Sequence, residues 1–138
     1  MIDRAQATRA ETGLRWLRCG LAALLLAHGV ARIWLGGVWP FGVWLNGQGI
    51  PFGAAIAVFV TAWELAATSL LAFGPKRWLS PICTVFITIY ACGIWLVHAP
   101  AGWFVVGAGR NGSEYSVLLI LCLAILAWIY WPAFRRRR

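Results

Sequence analysis

Glu64 stands inside residues 51–73 (PFGAAIAVFVTAWELAATSLLAF), a run with no other charge. A carboxylate near the middle of a bilayer-spanning helix costs roughly 3 kcal/mol or more, so it normally faces a protein interior, a water-filled cavity or a ligand. Four other ionisable groups lie in or beside apolar runs: His28, Arg32, His98 and Glu114. His28 and Arg32 are four residues apart and share a helix face. Thr61, Glu64 and Thr68 fall at i, i+3 and i+7 and make one polar seam on an otherwise apolar helix. At ~1.5 Å per residue, Glu64 lies near the membrane midplane and His28 slightly outward of it. Arg32, His98 and Glu114 fall nearer the outer surface, so the five together outline a polar pocket in the outer half of the membrane.

A lipid quinone suits such a pocket. Its two ring carbonyls need hydrogen-bond donors, which His28 and Arg32 supply, and its redox chemistry moves protons, which Glu64, His98 or Glu114 can relay. Glu64, His28 and Arg32 are therefore the candidate catalytic residues. The candidate cofactor-binding set adds Trp63, Trp95, His98 and Glu114, with Trp34 as a further ring to pack on a quinone. The competing reading is structural: isolated charges in a membrane seek each other, so Arg32 pairs with Glu114 or Glu64 and ties helices together. Glu114 also reads as a simple charge at a helix N-terminus.

Other chemistries fare worse. Two histidines at different depths are a poor haem pair, and neither haem nor a metal is expected. Cys19, Cys83, Cys92 and Cys122 form no Cys-x-x-Cys pair and read as small packing residues. No phosphate-loop, dinucleotide or hydrolase motif is present.

The elements that must position these residues follow from hydropathy. Of the 138 residues, 62% are hydrophobic and 12% charged, which makes a membrane protein the default. Four apolar runs, at about 17–35, 52–73, 78–97 and 115–131, each approach the ~20 residues that cross a hydrocarbon core. The first is a retained helix and no signal peptide, being long, carrying His28 and Arg32, and lacking a small-residue cleavage site. The predicted fold is all-α, a polytopic four-transmembrane-helix bundle. Residues 1–14 are a polar cytoplasmic segment, 15–132 the membrane domain and 133–138 a basic cytoplasmic tail.

The net charge of +8 is arranged for topology. Arg4, Arg9, Arg15 and Arg18 precede the first span, Lys76 and Arg77 separate spans two and three, and Arg135, Arg136, Arg137 and Arg138 follow the fourth. The other two connections hold only Arg110. The positive-inside rule then places both termini in the cytoplasm. The expected location is the bacterial inner (plasma) membrane, with the chain crossing it several times. The terminal arginines also meet anionic lipid. No folded basic module points to nucleic acid.

Finer features are expected from spacing. Ala23, Ala27 and Ala31 make a small-residue stripe for a neighbouring helix. Residues 36–49 (GGVWPFGVWLNGQG) are too apolar for a solvated loop and predict a short helix or re-entrant piece, with Trp39, Phe41 and Trp44 at headgroup level. Pro51 opens span two. Thr84, Thr88, Ala91, Trp95 and His98 define one face of span three, which Pro100 and Gly102 stop. Trp103, Phe104, Val105 and Val106 dip back toward the bundle, and Ser113 caps span four.

Together these residues resemble the DoxX family of small four-helix membrane proteins. The matching positions are His28-Gly29 with Arg32, Gly49-Ile50-Pro51, Glu64, Gly74, His98 with Gly102 and Phe104, and Gly112-Ser113-Glu114-Tyr115. The resemblance covers about residues 15–131. It departs from the family pattern at Ala66 and Ala67, where small glycines usually follow the span-two glutamate. It implies association with a quinone- or quinol-reacting complex, either as a membrane subunit resembling that of a thiosulfate:quinone oxidoreductase or as an accessory protein.

The expected function is accordingly a small membrane subunit of a redox complex that contacts a lipid quinone and needs a partner to act as an enzyme. The alternative is a non-catalytic accessory subunit that stabilises a larger membrane complex. A small-solute transporter is weaker, since no inverted repeat or matched broken span is visible. The expected partners are the lipid bilayer and other membrane subunits or further copies of the chain.

Overall fold

The computed structural model describes residues 3–106 and 111–135. Arg110, Arg136, Arg137 and Arg138, which enter the topology argument, lie outside the described residues. All regular structure among the described residues is helical: α1 (Arg4–Trp34), α2 (Val38–Gly47), α3 (Gly53–Phe73), α4 (Lys76–Gly93), a π-helical turn (Ile94–His98), α5 (Ala99–Ala101) and α6 (Glu114–Arg135). The all-α expectation holds. Four stretches are long and apolar enough to cross a membrane: Arg4–Trp34, Gly53–Phe73, Lys76–Ala101 and Glu114–Ala133. The chain divides into two compact units, Met1–Gly74 and Pro75–Arg138, taken here in turn.

The first unit is an α1–α3 pair with α2 laid on α3. On α1 the packed residues are Arg18, Leu21, Ala22, Leu25 and Gly29, continued by half-buried Arg32. Positions 18, 22, 25, 29 and 32 repeat with the 4-3 spacing of a helix seam. On α3 the buried residues Ala57, Val60, Thr61, Glu64, Ala67, Thr68 and Leu71 follow the same rhythm. Thr61, Glu64 and Thr68 are thus one buried face, as their spacing predicted. The alanine stripe is a correction: Ala23, Ala27 and Ala31 are exposed, because the seam runs through the positions beside them. The polar N-terminal stretch is helical from Arg4, and the apolar run begins well inside α1.

Residues 36–49 do form a short helix. Its seat on α3 is a backbone contact: a Cβ on Gly42 would stand 2.7 Å from Ala54 Cα and 2.9 Å from its nitrogen. Only glycine permits that approach. Asn46 Oδ1 accepts a hydrogen bond from Gly53 N at 2.9 Å and so caps α3 from α2. This cap stands in for Phe52, which precedes the helix in a left-handed conformation (φ 60°, ψ 31°) and makes no side-chain cap. Pro51 therefore lies just outside the helix that it was expected to open.

In the second unit α4 packs on α6. Leu79, Ile82, Cys83, Phe86 and Tyr90 face inward from α4; Ser116, Leu119, Leu123, Leu126 and Tyr130 do so from α6. The predicted Thr84–Thr88–Ala91–Trp95 face is exposed, with Trp95 74% exposed. The two hydroxyls are satisfied within their own helix, on Ser80 O at 3.0 Å and Thr84 O at 3.1 Å, so nothing compels them inward. The π turn then inserts a wider turn that shifts His98 off this register. Trp103, Phe104 and Val106 are exposed where an inward dip was expected. Their backbone is tied down by Ser113 N to Gly102 O and Glu114 N to Trp103 O, both 3.0 Å, with the side chains left outside.

The Gly42 contact makes a comparison possible. Gly42→Ala forces backbone apart and is expected to destabilise by about 1–3 kcal/mol. Gly20→Ala, in open space within α1, is expected to be neutral or stabilising by up to about 1 kcal/mol. Thermal unfolding of the full chain in detergent reads both; equal stability of the two variants contradicts the contact.

Candidate functional site

Arg32 lies in the last turn of α1, where a cation also complements the helix dipole. Its Nη1 meets Glu64 Oε2 at 2.6 Å and donates to Thr61 Oγ1 at 3.1 Å. The Thr61 hydroxyl donates to Ala57 O at 2.7 Å, so its oxygen is free to accept from the guanidinium. Glu64 is 2% exposed and the Arg32 side chain 19%. The sequence allowed Arg32 to pair with Glu114 or Glu64; the structure selects Glu64.

Close approach of the helices makes this reach possible. A Cβ on Gly29 would stand 3.0 Å from Glu64 Cβ and 3.3 Å from Leu65 Cδ2. Any larger residue at 29 would push α1 off α3 beside the carboxylate. Arg32 is held from behind as well, since its carbonyl accepts from Gly37 N at 2.7 Å where the chain turns into α2. The first turn of α2 then lays the Phe41 ring 4.9 Å from the guanidinium carbon. Cation–π attraction of this kind is worth about 0.5–2 kcal/mol, more where water is excluded. Phe41 in turn stacks on Trp44, with centroids 6.2 Å apart.

Thr68 belongs to the buried face but not to the pair. Its hydroxyl donates to Glu64 O at 2.8 Å and Leu65 O at 3.2 Å, main-chain acceptors of its own helix. His28 sits on the exposed side of α1 with Nδ1 3.0 Å from Leu24 O. It stands one helical turn before Arg32 on the same helix. Trp63 is half-buried and stacks on Phe59 at 6.0 Å, one turn earlier in α3. Trp34, offered as a ring for a quinone, is 86% exposed.

The other candidates belong to the second unit and have local work there. His98 Nδ1 lies 2.7 Å from Asn111 O. Glu114 Oε1 accepts from Val105 N at 3.1 Å, fastening the connection to the start of α6. Ser113 stands just before α6, yet its hydroxyl donates to Gly102 O at 3.4 Å and caps no α6 amide. The structure thus brings Arg32, Glu64 and Thr61 together with His28 alongside, and ties His98 and Glu114 into a loop.

Three residues with defined roles were missed by sequence reasoning. Phe41 covers Arg32, Asn46 caps α3, and Arg18 closes the far end of the helix pair. Arg18 is 6% exposed; its Nε donates to Leu71 O at 2.8 Å and its Nη2 to Gly74 O at 3.0 Å. These are terminal carbonyls of α3, which need donors from outside the helix. A signal existed for Arg18: it stands two heptads before Arg32 on the same seam. For Phe41 the only cue was an apolar connection. Among the described residues no group of three metal-ligating side chains converges. Comparison with protein-family models, with characterised proteins and with solved structures returns no match.

If the pair carries its own charges, removing one partner is worse than removing both. Arg32→Met leaves a buried carboxylate and is expected to cost about 3–5 kcal/mol. Adding Glu64→Leu to that chain restores most of it. Reversible unfolding in mixed micelles measures the cycle, and a double variant no more stable than Arg32→Met contradicts the pairing.

Proposed function

We propose that the chain is a small integral membrane subunit of a redox complex and that it binds a lipid quinone at Arg32. The observation that carries this reading is the state of the guanidinium. Nη1 makes both bonds to Glu64 and Thr61; among the described residues Nε and Nη2 make none, while the side chain keeps partial exposure beside an aromatic ring. A planar ligand carbonyl is what such a site takes: two N–H donors in the guanidinium plane and the Phe41–Trp44 stack as a wall.

Glu64 on this reading is a positioning residue. It neutralises and orients Arg32 in a medium where a lone guanidinium is costly. To His28, one turn away on the exposed side of α1, this reading assigns proton exchange with the ligand. Converting quinone to quinol takes two electrons and two protons, and a partner subunit must carry the electrons. The resemblance to the DoxX family supports the same class of partner, and the arginine distribution supports an inner-membrane protein with both termini in the cytoplasm.

A second reading has its own observation. The exposed stripe of Ala23, Ala27 and Ala31 suits close approach by a helix of another subunit, which favours a non-catalytic accessory role.

The two separate on ligand content. Protein extracted from native membranes is analysed for co-purifying ubiquinone and menaquinone, normalised to phospholipid. Wild type is expected to carry quinone above the bilayer background, and Arg32→Lys and Phe41→Ala to lose it at least tenfold, about 1.4 kcal/mol, while still folding. Background quinone in wild type, or full retention in both variants, rules the site out and leaves the accessory role.

A further inference from the structure

A second feature lies at the opposite end of the α1–α3 pair. A groove with a volume of about 200 Å³ opens between the two helices. Cys19, Ala22, Ala23 and Leu26 form one wall; Thr68 and Ala72 stand in the other. The lining is mostly apolar: the Thr68 hydroxyl is spent on the carbonyls of Glu64 and Leu65, and Ser69 contributes the other hydroxyl of that wall. The groove runs from residue 19 to 26 on α1, about 10 Å of a hydrocarbon core some 30 Å thick. It is too small for a ring system with its substituents but has the section of a flexible hydrocarbon chain.

The residues at its mouth specify what that chain is attached to. One turn before Cys19, on the same face of α1, stands exposed Arg15. A helical side chain leans toward its own N-terminus, so this arginine projects away from the groove and toward the membrane surface. Trp16 beside it is 74% exposed, and Phe73 at the same end of α3 is 85% exposed. Exposed aromatic side chains next to an arginine, at the border of an apolar run, mark the headgroup layer. Arg18 cannot be the headgroup ligand, being committed to Leu71 O and Gly74 O, which leaves Arg15 as the cation in place.

From this juxtaposition we infer that the groove is a binding site for an anionic phospholipid. One acyl chain lies between α1 and α3 and the phosphate lies against Arg15. The occupant is supplied by the surrounding bilayer, and a zwitterionic headgroup, whose own cation offsets its phosphate, gains less from the arginine than an anionic one. The site is independent of the quinone reading: Arg15 and Arg32 are 17 residues apart on α1, roughly 25 Å.

Native mass spectrometry of the full chain in detergent tests it, with phosphatidylglycerol and phosphatidylcholine of identical acyl chains as probes. Wild type is expected to retain phosphatidylglycerol about fivefold better, the effect of one arginine at an anionic surface. Arg15→Gln, at an exposed position, brings the two lipids to parity. Ala23→Phe fills the groove and lowers retention of both, whereas Phe41→Ala changes neither. No headgroup preference in wild type, or a preference unchanged by Arg15→Gln, overturns the proposal. So does a dimer that Ala23→Phe abolishes, since a second copy then occupies the groove.

Discussion

A carboxylate placed halfway along an apolar helix must be met by a cation from another helix, and the first unit is organised around that demand. Arg32 can reach Glu64 only if α1 runs antiparallel to α3 in one register and at short range. Gly29 supplies the range, leaving no side chain where Glu64 Cβ stands. The register is fixed a second time by Arg18, whose donors close the carbonyl end of α3. Sliding α1 by one turn would break both contacts at once, leaving a charge and two carbonyls unsatisfied in hydrocarbon. In a solvent where apolar side chains lose little by separating, such polar contacts and close packing define the pairing.

The short helix α2 follows from the same arrangement. It begins at the turn where Gly37 N bonds Arg32 O, and it ends by capping α3 through Asn46. Between these points Gly42 lies directly on the start of α3. With both ends and the middle held, Phe41 has little choice of position, and its ring covers the guanidinium. The aromatic wall of the candidate site is thus a by-product of how the connection is anchored. That is why the tryptophans favoured on chemistry alone, Trp34 and Trp95, turn out exposed while Phe41, expected only at headgroup level, lines the arginine.

How far the fold was legible depended on what signal each feature left. The four apolar stretches were readable from hydropathy because crossing a bilayer leaves a long, unambiguous trace. Glu64 and its seam with Thr61 were readable because polar residues at helical spacing on an apolar background are few. Arg32 as its partner was one of two options, and no periodicity could choose between glutamates on different helices. The faces of α1 and α4 were misjudged for a common reason. Alanines and threonines at seam-like spacing are tolerated against lipid as well as against protein, since a threonine hydroxyl satisfies itself on its own helix. Arg18 was hidden by its neighbours: among several arginines before a span, a buried one looks like any topology anchor.

The same residue types also serve different ends according to where they fall. Glu114, at the first turn of α6, accepts a backbone N–H from the adjoining connection, and His98 meets a backbone carbonyl of the same segment. Near a helix end such local partners are at hand, and a charged side chain there implies no ligand. Glu64 has no such recourse, because the amides around it are engaged in the helix. It requires a side chain from elsewhere, and that side chain arrives with more donors than the pair consumes. A guanidinium brought in to neutralise one carboxylate presents five N–H groups, of which this pair and Thr61 use only Nη1. That surplus, directed beside an aromatic ring, is the feature on which the quinone proposal rests.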